Sequence, residues 1–303
     1  MDARFDPMPS DLAMSGDDSW APGIPPGLPS VSIVIPAYNE ESVIRQCLIA
    51  AIYQSVPAHE IIVVDNKSTD STCAIVEQIQ LEYPESPISL LHQSKEQGLI
   101  PTRNYGLNHA TGDVLGRIDA DSVIEPDWVE QLQLAFTDSA ISAATGPVVY
   151  YDMPLRRFGL KADDKMRQLM LKLAKHQYHF LFGSNMALRR SAWEQIRDET
   201  CRDKKDEMHE DIDLSLHLAE HSLKVQYVQT MVSGMSARRL EDSPRDYRYY
   251  VTRFERTYKA HNVKGLALKT PMVVFFSVYF PLKVVRAVHT ANVNQMARRA
   301  LRS

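Results

Sequence analysis

From residue 31 onward, short runs of β-branched residues alternate with helical periods, and that alternation leaves few folds open. Residues 31–35 read Val-Ser-Ile-Val-Ile and stop at Pro36, which predicts a buried strand. Val43, Ile44, Cys47, Leu48, Ala51 and Ile52 then recur at helical spacing until Pro57, where a helix must end. Residues 61–64, Ile-Ile-Val-Val, predict a second strand, and Asp70 is placed to cap a helix carrying Ile75, Val76 and Ile79 on one face. Apolar runs at 88–91 and 114–118 continue the series. Strands apolar on both faces, alternating with helices, call for an α/β fold with a mostly parallel sheet covered by helices. Ligands of such sheets bind beyond the carboxyl ends of the strands. Residues 36–41, 65–70 and 119–122 occupy those ends, and all three stretches carry carboxylates.

The flanks differ from this middle. Residues 1–29 hold six prolines and scattered apolar groups, too little burial to offset ordering entropy, so a disordered tail is expected there. The catalytic candidate is residues 30–240, and 241–303 reads as a helical, basic and apolar C-terminal region. The net charge of −4 excludes a general nucleic-acid binder. From Arg256 onward there are basic residues and no acidic ones. Three dispersed cysteines, Cys47, Cys73 and Cys201, lack zinc-type spacing and suit a reducing compartment. The acidic, Pro-rich N-terminus shows no secretory h-region, so a cytoplasmic location is expected.

Asp119-Ala120-Asp121 follows the strand predicted at 114–118. In extended chain, residues two apart face one way, so both carboxylates can address one object. Hard cations such as Mg²⁺ or Mn²⁺ take oxygen ligands and keep positions free for phosphate. A solvated turn is the bland alternative for this segment. Residues 209–213, His-Glu-Asp-Ile-Asp, precede Leu214, Leu216 and Leu218. Acids crowd the first turn of a helix because they complement its dipole; the functional alternative is a general base facing the donor.

Together these stretches resemble the inverting, nucleotide-sugar-dependent family 2 glycosyltransferases of the GT-A fold. Residues 31–40 and 62–70, Gly98 with Arg103, Asn104, Gly106, Ala110 and Gly112, and the Asp119–Asp121 segment carry the resemblance. So do Gly183-Ser-Asn185 with Arg189 and Arg190, and Glu210-Asp211, in order over 31–235. The resemblance implies a GT-A, Rossmann-like sheet. It also implies that Pro36, Ala37, Tyr38, Glu40 and Asp65 line the base and ribose pocket, with Arg103 near the nucleotide. Asp119, Ala120 and Asp121 would meet the donor, with Asp119 and Asp121 holding Mn²⁺ or Mg²⁺. Asp211 would be the general base of a single displacement, and Glu210, Asp213 and Arg253 secondary residues on the acceptor side. A UDP- or GDP-sugar donor and a glycan or lipid-linked acceptor follow.

Departures qualify that picture. Asn66 stands where a second acid is common, Lys67 replaces a common Gly, and His217 replaces a common Arg. The charge-dense stretch 197–207 is a solvated loop or a lid. Gln-x-x-Arg-Trp is missing, and residues 250–254 around Arg253 echo it imperfectly, which favours addition of one sugar over polymerisation. Trp128 and Trp193 read as packing residues. His176 and His179 fall in a stretch whose Leu160, Met166, Leu169, Met170 and Leu173 form an amphipathic stripe.

Residues 271–282 are the most apolar run, flanked by Lys264, Lys269, Lys283, Arg286, Arg298, Arg299 and Arg302. Twelve helical residues reach only about 18 Å, short of a bilayer core of about 30 Å, and Pro281 would disturb them. The expectation is peripheral contact with the cytoplasmic membrane face through 264–303; the alternative is a core helix closing over the catalytic domain, which Phe275, Phe276 and Phe280 could serve equally well. The rival readings are a nucleotidyltransferase, disfavoured by the lack of a Gly-rich basic loop after the first strand, and an inactive nucleotide-binding relative.

Overall fold

β1 (Val31–Ala37) is buried along its whole length and forms the axis of the sheet. It pairs in parallel with β2 (Glu60–Asp65), Ala37 opposite Asp65, so both strands end level. On its other side β4 (Val114–Arg117) sets Arg117 opposite Val34. Carried three residues further, that register brings Ala120 level with Ala37. Three stretches of predicted importance thus share one rim.

The computed structural model describes residues 27–154, 156–173, 180–201, 203, 207–263 and 270–300. Residues 1–26 of the predicted tail, His176, His179, Lys264, Lys269, Arg302 and parts of the 197–207 stretch lie outside them, as do the Met170, Leu173, Arg298 and Arg299 side chains.

The main sheet continues with β3 (Ile88–His92), β6 (Ile141–Thr145), β8 (Met186–Arg189) and β9 (Lys224–Tyr227), in the order β3-β2-β1-β4-β8-β6-β9. Only β8 runs against the others, paired antiparallel to β4 and β6. Helices α1 (Ile44–Ile52), α2 (Thr72–Glu82) and α4 (Trp128–Ala135) bury Ile44, Leu48, Val76, Ile79, Trp128 and Leu132 in one core with β1 and β2. Asp70 does assist the start of α2: its carboxylate accepts the Thr72 N–H at 3.0 Å. On the opposite face lie α3 (Leu99–His109), α6 (Arg190–Ile196) and α7 (Glu210–Glu220), with Leu107, Trp193, Leu214 and Leu218 in a second core. α3 lies so close that a Cβ on Gly106 would come 2.4 Å from Val34 Cγ1.

A small sheet gathers β5 (Val123–Ile124), β7 (Val148–Tyr150) and β10 (Ser233–Met235), in the order β5-β10-β7. The chain leaves Asp121 into β5, and β10 beside it leads into Arg238. α5 (Arg156–Leu173) carries Leu169 of the predicted apolar stripe exposed, whereas an amphipathic surface helix turns that stripe to the core.

α8 (Pro244–Val251), α9 (Arg253–Ala260) and α10 (Thr270–Ala300) complete the chain. α10 corrects the expectation of a short apolar run: it is one helix of 31 residues that passes through Pro281. Met272–Asn292 is long and apolar enough to cross a membrane by length and composition. Length therefore does not decide between crossing and lying on a surface. Tyr279 is buried, stacked on Tyr247 with ring centroids 4.0 Å apart. Arg286 pairs with Asp152 at 2.6 Å and Glu241 at 2.8 Å, and Lys283 donates to the Asp242 carbonyl at 2.6 Å. Val273, Phe276, Phe280, Val284 and Val288 are exposed.

Candidate active site

The rim beyond β1, β2 and β4 meets the N-terminus of α7, and a buried guanidinium joins them. Arg117 ends β4 and is 1 % exposed; its Nη2 lies 2.8 Å from Asp119 Oδ1 and 3.1 Å from Glu210 Oε1. Glu210 turns its other oxygen to Arg103 Nη1 at 2.8 Å. Arg103 also donates to the Glu210 carbonyl and to Asn104 Oδ1. The chain Arg103–Glu210–Arg117–Asp119 thereby holds α3, α7 and the acidic segment in one frame. Gly183 lets this frame close: a Cβ there would lie 2.5 Å from Arg117 Nη1 and 2.9 Å from Glu210 Oε1.

Within the frame, Asp211 projects from the first turn of α7. Its Oδ2 accepts the Gly183 N–H at 2.9 Å and its Oδ1 the Ile212 N–H at 2.8 Å. Burial, and then the Glu210 charge, push its carboxyl up to about 7 against the pull of those donors and of Arg117. A carboxyl poised near neutrality suits a general base.

Asp121 is buried, and its carboxyl is likewise pushed up to about 7, by burial first and Asp119 second. Arg238 opposes this, its Nε 3.0 Å from Asp121 Oδ2. The same guanidinium grips Glu40 with two bonds of 2.7 Å. The small sheet explains the meeting, since β10 delivers Arg238 beside the segment that follows Asp121. Asp119 and Asp121 are thus each paired with a guanidinium, and Arg238, which Asp121 shares with Glu40, is a half-exposed cation at the position a metal ion could take. Such a pair fits Mn²⁺ or Mg²⁺.

The nucleotide candidates line the β1–β2 side. Pro36, Ala37 and Ala120 are buried backbone supports, while Tyr38 is 50 % exposed and offers a free ring face. Asp65 accepts from the backbone N–H groups of Ser68 and Lys67 at 3.1 and 3.2 Å. Burial raises its pKa, but the bonds from Ser68 and His92 outweigh it and leave the carboxyl below its ordinary range. Asn66 turns away from the rim. Its amide donates to the Gln93 and Glu96 carbonyls at 2.7 and 2.8 Å, a task no carboxylate could perform.

Three placements differ from expectation. Arg103 is fully buried and committed to Glu210 and Asn104, so it shapes the site from behind and presents no guanidinium to a nucleotide. Glu210 is enclosed by two arginines. Asp213 is fully buried behind Asp211 among His217, His261 and Cys201, with no surface to offer an acceptor. Arg253 begins α9 with its guanidinium 5.8 Å from the Tyr249 and Tyr250 rings. Buried His209 is held down to about 3 by burial and then by Arg253. Trp128 and Trp193 are packing residues, with ring N–H groups donated to Asn185 and Asn108.

Arg117 and Arg238 did not emerge from sequence reasoning. Arg117 could have, as a lone charge inside an otherwise apolar strand that must be paired when buried. Arg238 carries no such signal, because its role depends on the pairing of β5 with β10.

Comparison with known proteins agrees with this geometry. The pattern of Glycosyl transferase family 2 matches residues 32–197, more than half of the chain. The chain belongs to glycosyltransferase family 2. A second pattern, Glycosyl transferase family group 2, matches residues 117–292. Among curated family relatives, glycosyltransferase AglE of Haloferax volcanii is 32 % identical over 125 residues, 41 % of this chain and 40 % of AglE. Glycosyltransferase GlyA of Streptococcus pneumoniae is 33 % identical over 117 residues, 38 % of this chain and 16 % of GlyA. The matches thus span two fifths or less of those relatives. The fold is that of mannosyltransferase PcManGT from Pyrobaculum calidifontis, solved with GDP-Man and Mn²⁺. That likeness has a TM-score of 0.58 at 20 % identity and covers 90 % of this chain and 81 % of PcManGT. S. aureus TarS 1-349 with UDP-GlcNAc gives 0.54 at 14 % identity, covering 83 % of this chain and 73 % of that one. The GT-A sheet is therefore the fold of this family 2 member.

Proposed function

We propose that this chain transfers a sugar from a UDP- or GDP-sugar to an acceptor hydroxyl, by a metal-dependent, inverting single displacement. The observation that carries the reading is Arg117, which joins the acidic pair to the first turn of α7. Donor-holding acids and a candidate base are thereby fixed in one frame. Tyr38 offers a ring face to the base, and Asp65 an anion to ribose hydroxyls. Asp119 and Asp121 would hold Mn²⁺ or Mg²⁺, which when bound neutralises charge on the departing diphosphate. Asp211 takes the acceptor hydroxyl proton as that oxygen bonds to the anomeric carbon and the bond to the diphosphate breaks. Attack opposite the leaving group inverts the anomeric centre.

The exposed row on α10 supports an acceptor at a membrane surface. Arg286 and Lys283 pin the middle of the helix to Asp152, Glu241 and Asp242. In that docked arrangement the segment cannot sit in hydrocarbon, because those polar partners would go with it. The apolar row faces outward instead, as in a helix lying among headgroups.

The test incubates the full chain with a panel of UDP- and GDP-sugars, lipid-linked and glycan acceptors, and Mn²⁺ or Mg²⁺. Nucleoside diphosphate should be released with one donor, lost in Asp121→Asn, and the product anomer should be inverted. Absence of release across the panel, or full activity of Asp121→Asn, overturns the reading.

A further inference from the structure

Behind Asp211, on the other side of α7, four side chains of metal-binding chemistry converge. Asp213 and His217 are one helical turn apart and share a face of α7. Cys201 reaches them from the segment after α6, and His261 from the end of α9. One ligand atom from each of the four lies within 4.8 Å of all the others. His261 Nε2 is 2.8 Å from Asp213 Oδ1 and 3.8 Å from Cys201 Sγ. His217 Nε2 is 3.6 Å from the same Asp213 oxygen. Tetrahedral zinc, with bonds of about 2.0–2.3 Å, sets its ligands roughly 3.3–3.8 Å apart; the 3.6 and 3.8 Å spacings fall in that range, while the 2.8 Å hydrogen bond between His261 and Asp213 would have to open slightly to admit the ion.

Two further observations point to an ion. His217 is about nine-tenths buried, yet its Nε2 has no hydrogen-bond partner among the described residues and faces the cluster. Behind both rings stands Glu220, 3.0 Å from His217 Nδ1 and 3.6 Å from His261 Nδ1. A carboxylate at Nδ1 fixes the His217 ring with that N–H outward and leaves its Nε2 as a lone-pair donor toward the centre, the usual support of zinc-binding histidines; His261 Nε2, hydrogen-bonded to Asp213, gives up that proton when an ion binds.

We propose that Cys201, Asp213, His217 and His261 form a structural zinc site, oriented by Glu220. Sulfur and two imidazoles select zinc over Mg²⁺ or Mn²⁺, which prefer oxygen. A thiolate and a carboxylate balance the two positive charges, and the thiol proton leaves to solvent on binding. The ion ties the segment after α6 and the end of α9 to the helix that carries Asp211. It is separate from the Asp119–Asp121 pair and takes no part in chemistry.

The experiment measures metal in the purified full chain, then strips it with chelator and titrates with Co²⁺. One zinc per chain is expected, and Co²⁺ should give a tetrahedral visible band with a thiolate charge-transfer band in the near ultraviolet. Cys201→Ser should lose the charge-transfer band, and Glu220→Gln should weaken binding by about 10–100-fold. Asp121→Asn should keep both the zinc and the cobalt spectrum. Chelator should lower the melting temperature of the wild type and leave Cys201→Ser/His261→Gln unchanged. Should that double variant fail to fold, the wild-type cobalt spectrum and Glu220→Gln still decide. No thiolate band, or no zinc taken up after incubation, would reduce the cluster to a polar network and overturn the site. Metal content unaffected by the substitutions here but abolished by Asp121→Asn would place the ion at the acidic pair and overturn it equally.

Discussion

Asp211→Asn should disable the enzyme and stabilise the fold, in a way that depends on pH. The Asp211 carboxyl is held at about 7 against an ordinary 3.8, first by burial and then by Glu210. That gap is about three decades in a proton equilibrium, or ~4 kcal/mol. The side chain is not fully enclosed, so solvent screening reduces the figure. The amide also forfeits the bond from the Ile212 N–H, at a cost of ~1 kcal/mol. A net gain of about 1–3 kcal/mol remains at pH 8, where the wild-type group is ionised. The sign follows from linkage: a carboxyl raised in the folded state costs nothing below its unfolded pKa. The cost grows as pH climbs from 3.8 toward 7 and is complete above that. At about 2–4 °C per kcal/mol for a domain of this size, thermal melts at pH 8 should place Asp211→Asn roughly 5 °C above wild type. The gap should shrink toward zero or reverse near pH 4. Turnover should fall by about a hundredfold to ten-thousandfold with donor binding kept. A stability difference independent of pH would refute the account of the raised pKa, and near-normal turnover would move the base elsewhere.

Other consequences can be checked as directly. Gly183→Ala puts a methyl against Arg117 and Glu210 and should cost about 1–3 kcal/mol from overpacking together with most of the turnover; an unaffected enzyme would mean that the frame has no part in catalysis. Arg238→Gln removes the cation shared by Glu40 and Asp121. Without donor, Mn²⁺ should then bind about tenfold tighter by electron paramagnetic resonance, ~1.4 kcal/mol of relieved competition. Phe276→Asp with Phe280→Asp breaks the exposed row of α10 and should abolish sedimentation with anionic vesicles while donor-dependent release in solution is retained; vesicle binding that survives both changes would refute the surface reading.

The sheet and its active rim were legible because their causes are local. Residues 31–35, 61–64 and 114–118 could bury both faces only in a parallel sheet, and acids at their ends could face only the ligand side. Lys67 shows how a departure from the family pattern becomes intelligible in three dimensions. It sits at φ +65°, in the left-handed region, which is why glycine suits that position. What sequence could not show depends on chain segments far apart in number. Arg103 and Glu210 meet across 107 residues, and Arg238 reaches Glu40 across 198. The length of α10 is not legible from the apolar run at 271–282, because the helix continues past it and through Pro281. A helix interior can accommodate a proline when neighbouring contacts compensate, and Tyr279, Lys283 and Arg286 hold this helix along η1 (Arg238–Glu241) and α8.

The buried ion chain also bears on why Asp211 sits near neutrality. Two arginines and two acids out of water are poor sources of stability, because desolvation rivals their attraction. An apolar cluster could fasten α3 to α7 as well. Glu210, however, does two things an apolar residue cannot. It positions Arg117 against Asp119, and its negative charge, adjacent to Asp211, raises the affinity of that carboxyl for a proton. Arg117 acts in the opposite sense on the same group. On top of burial, which raises it most, the proton affinity of Asp211 is therefore tuned by two opposed charges fixed by one ion pair. Weakening the pair on the Glu210 side would free Arg117 to lower the Asp211 pKa and make a weaker base. Weakening it on the Arg117 side would leave Asp211 protonated at neutral pH. Either change moves the acid limb of the pH–rate profile, and the direction of that movement identifies which partner was lost.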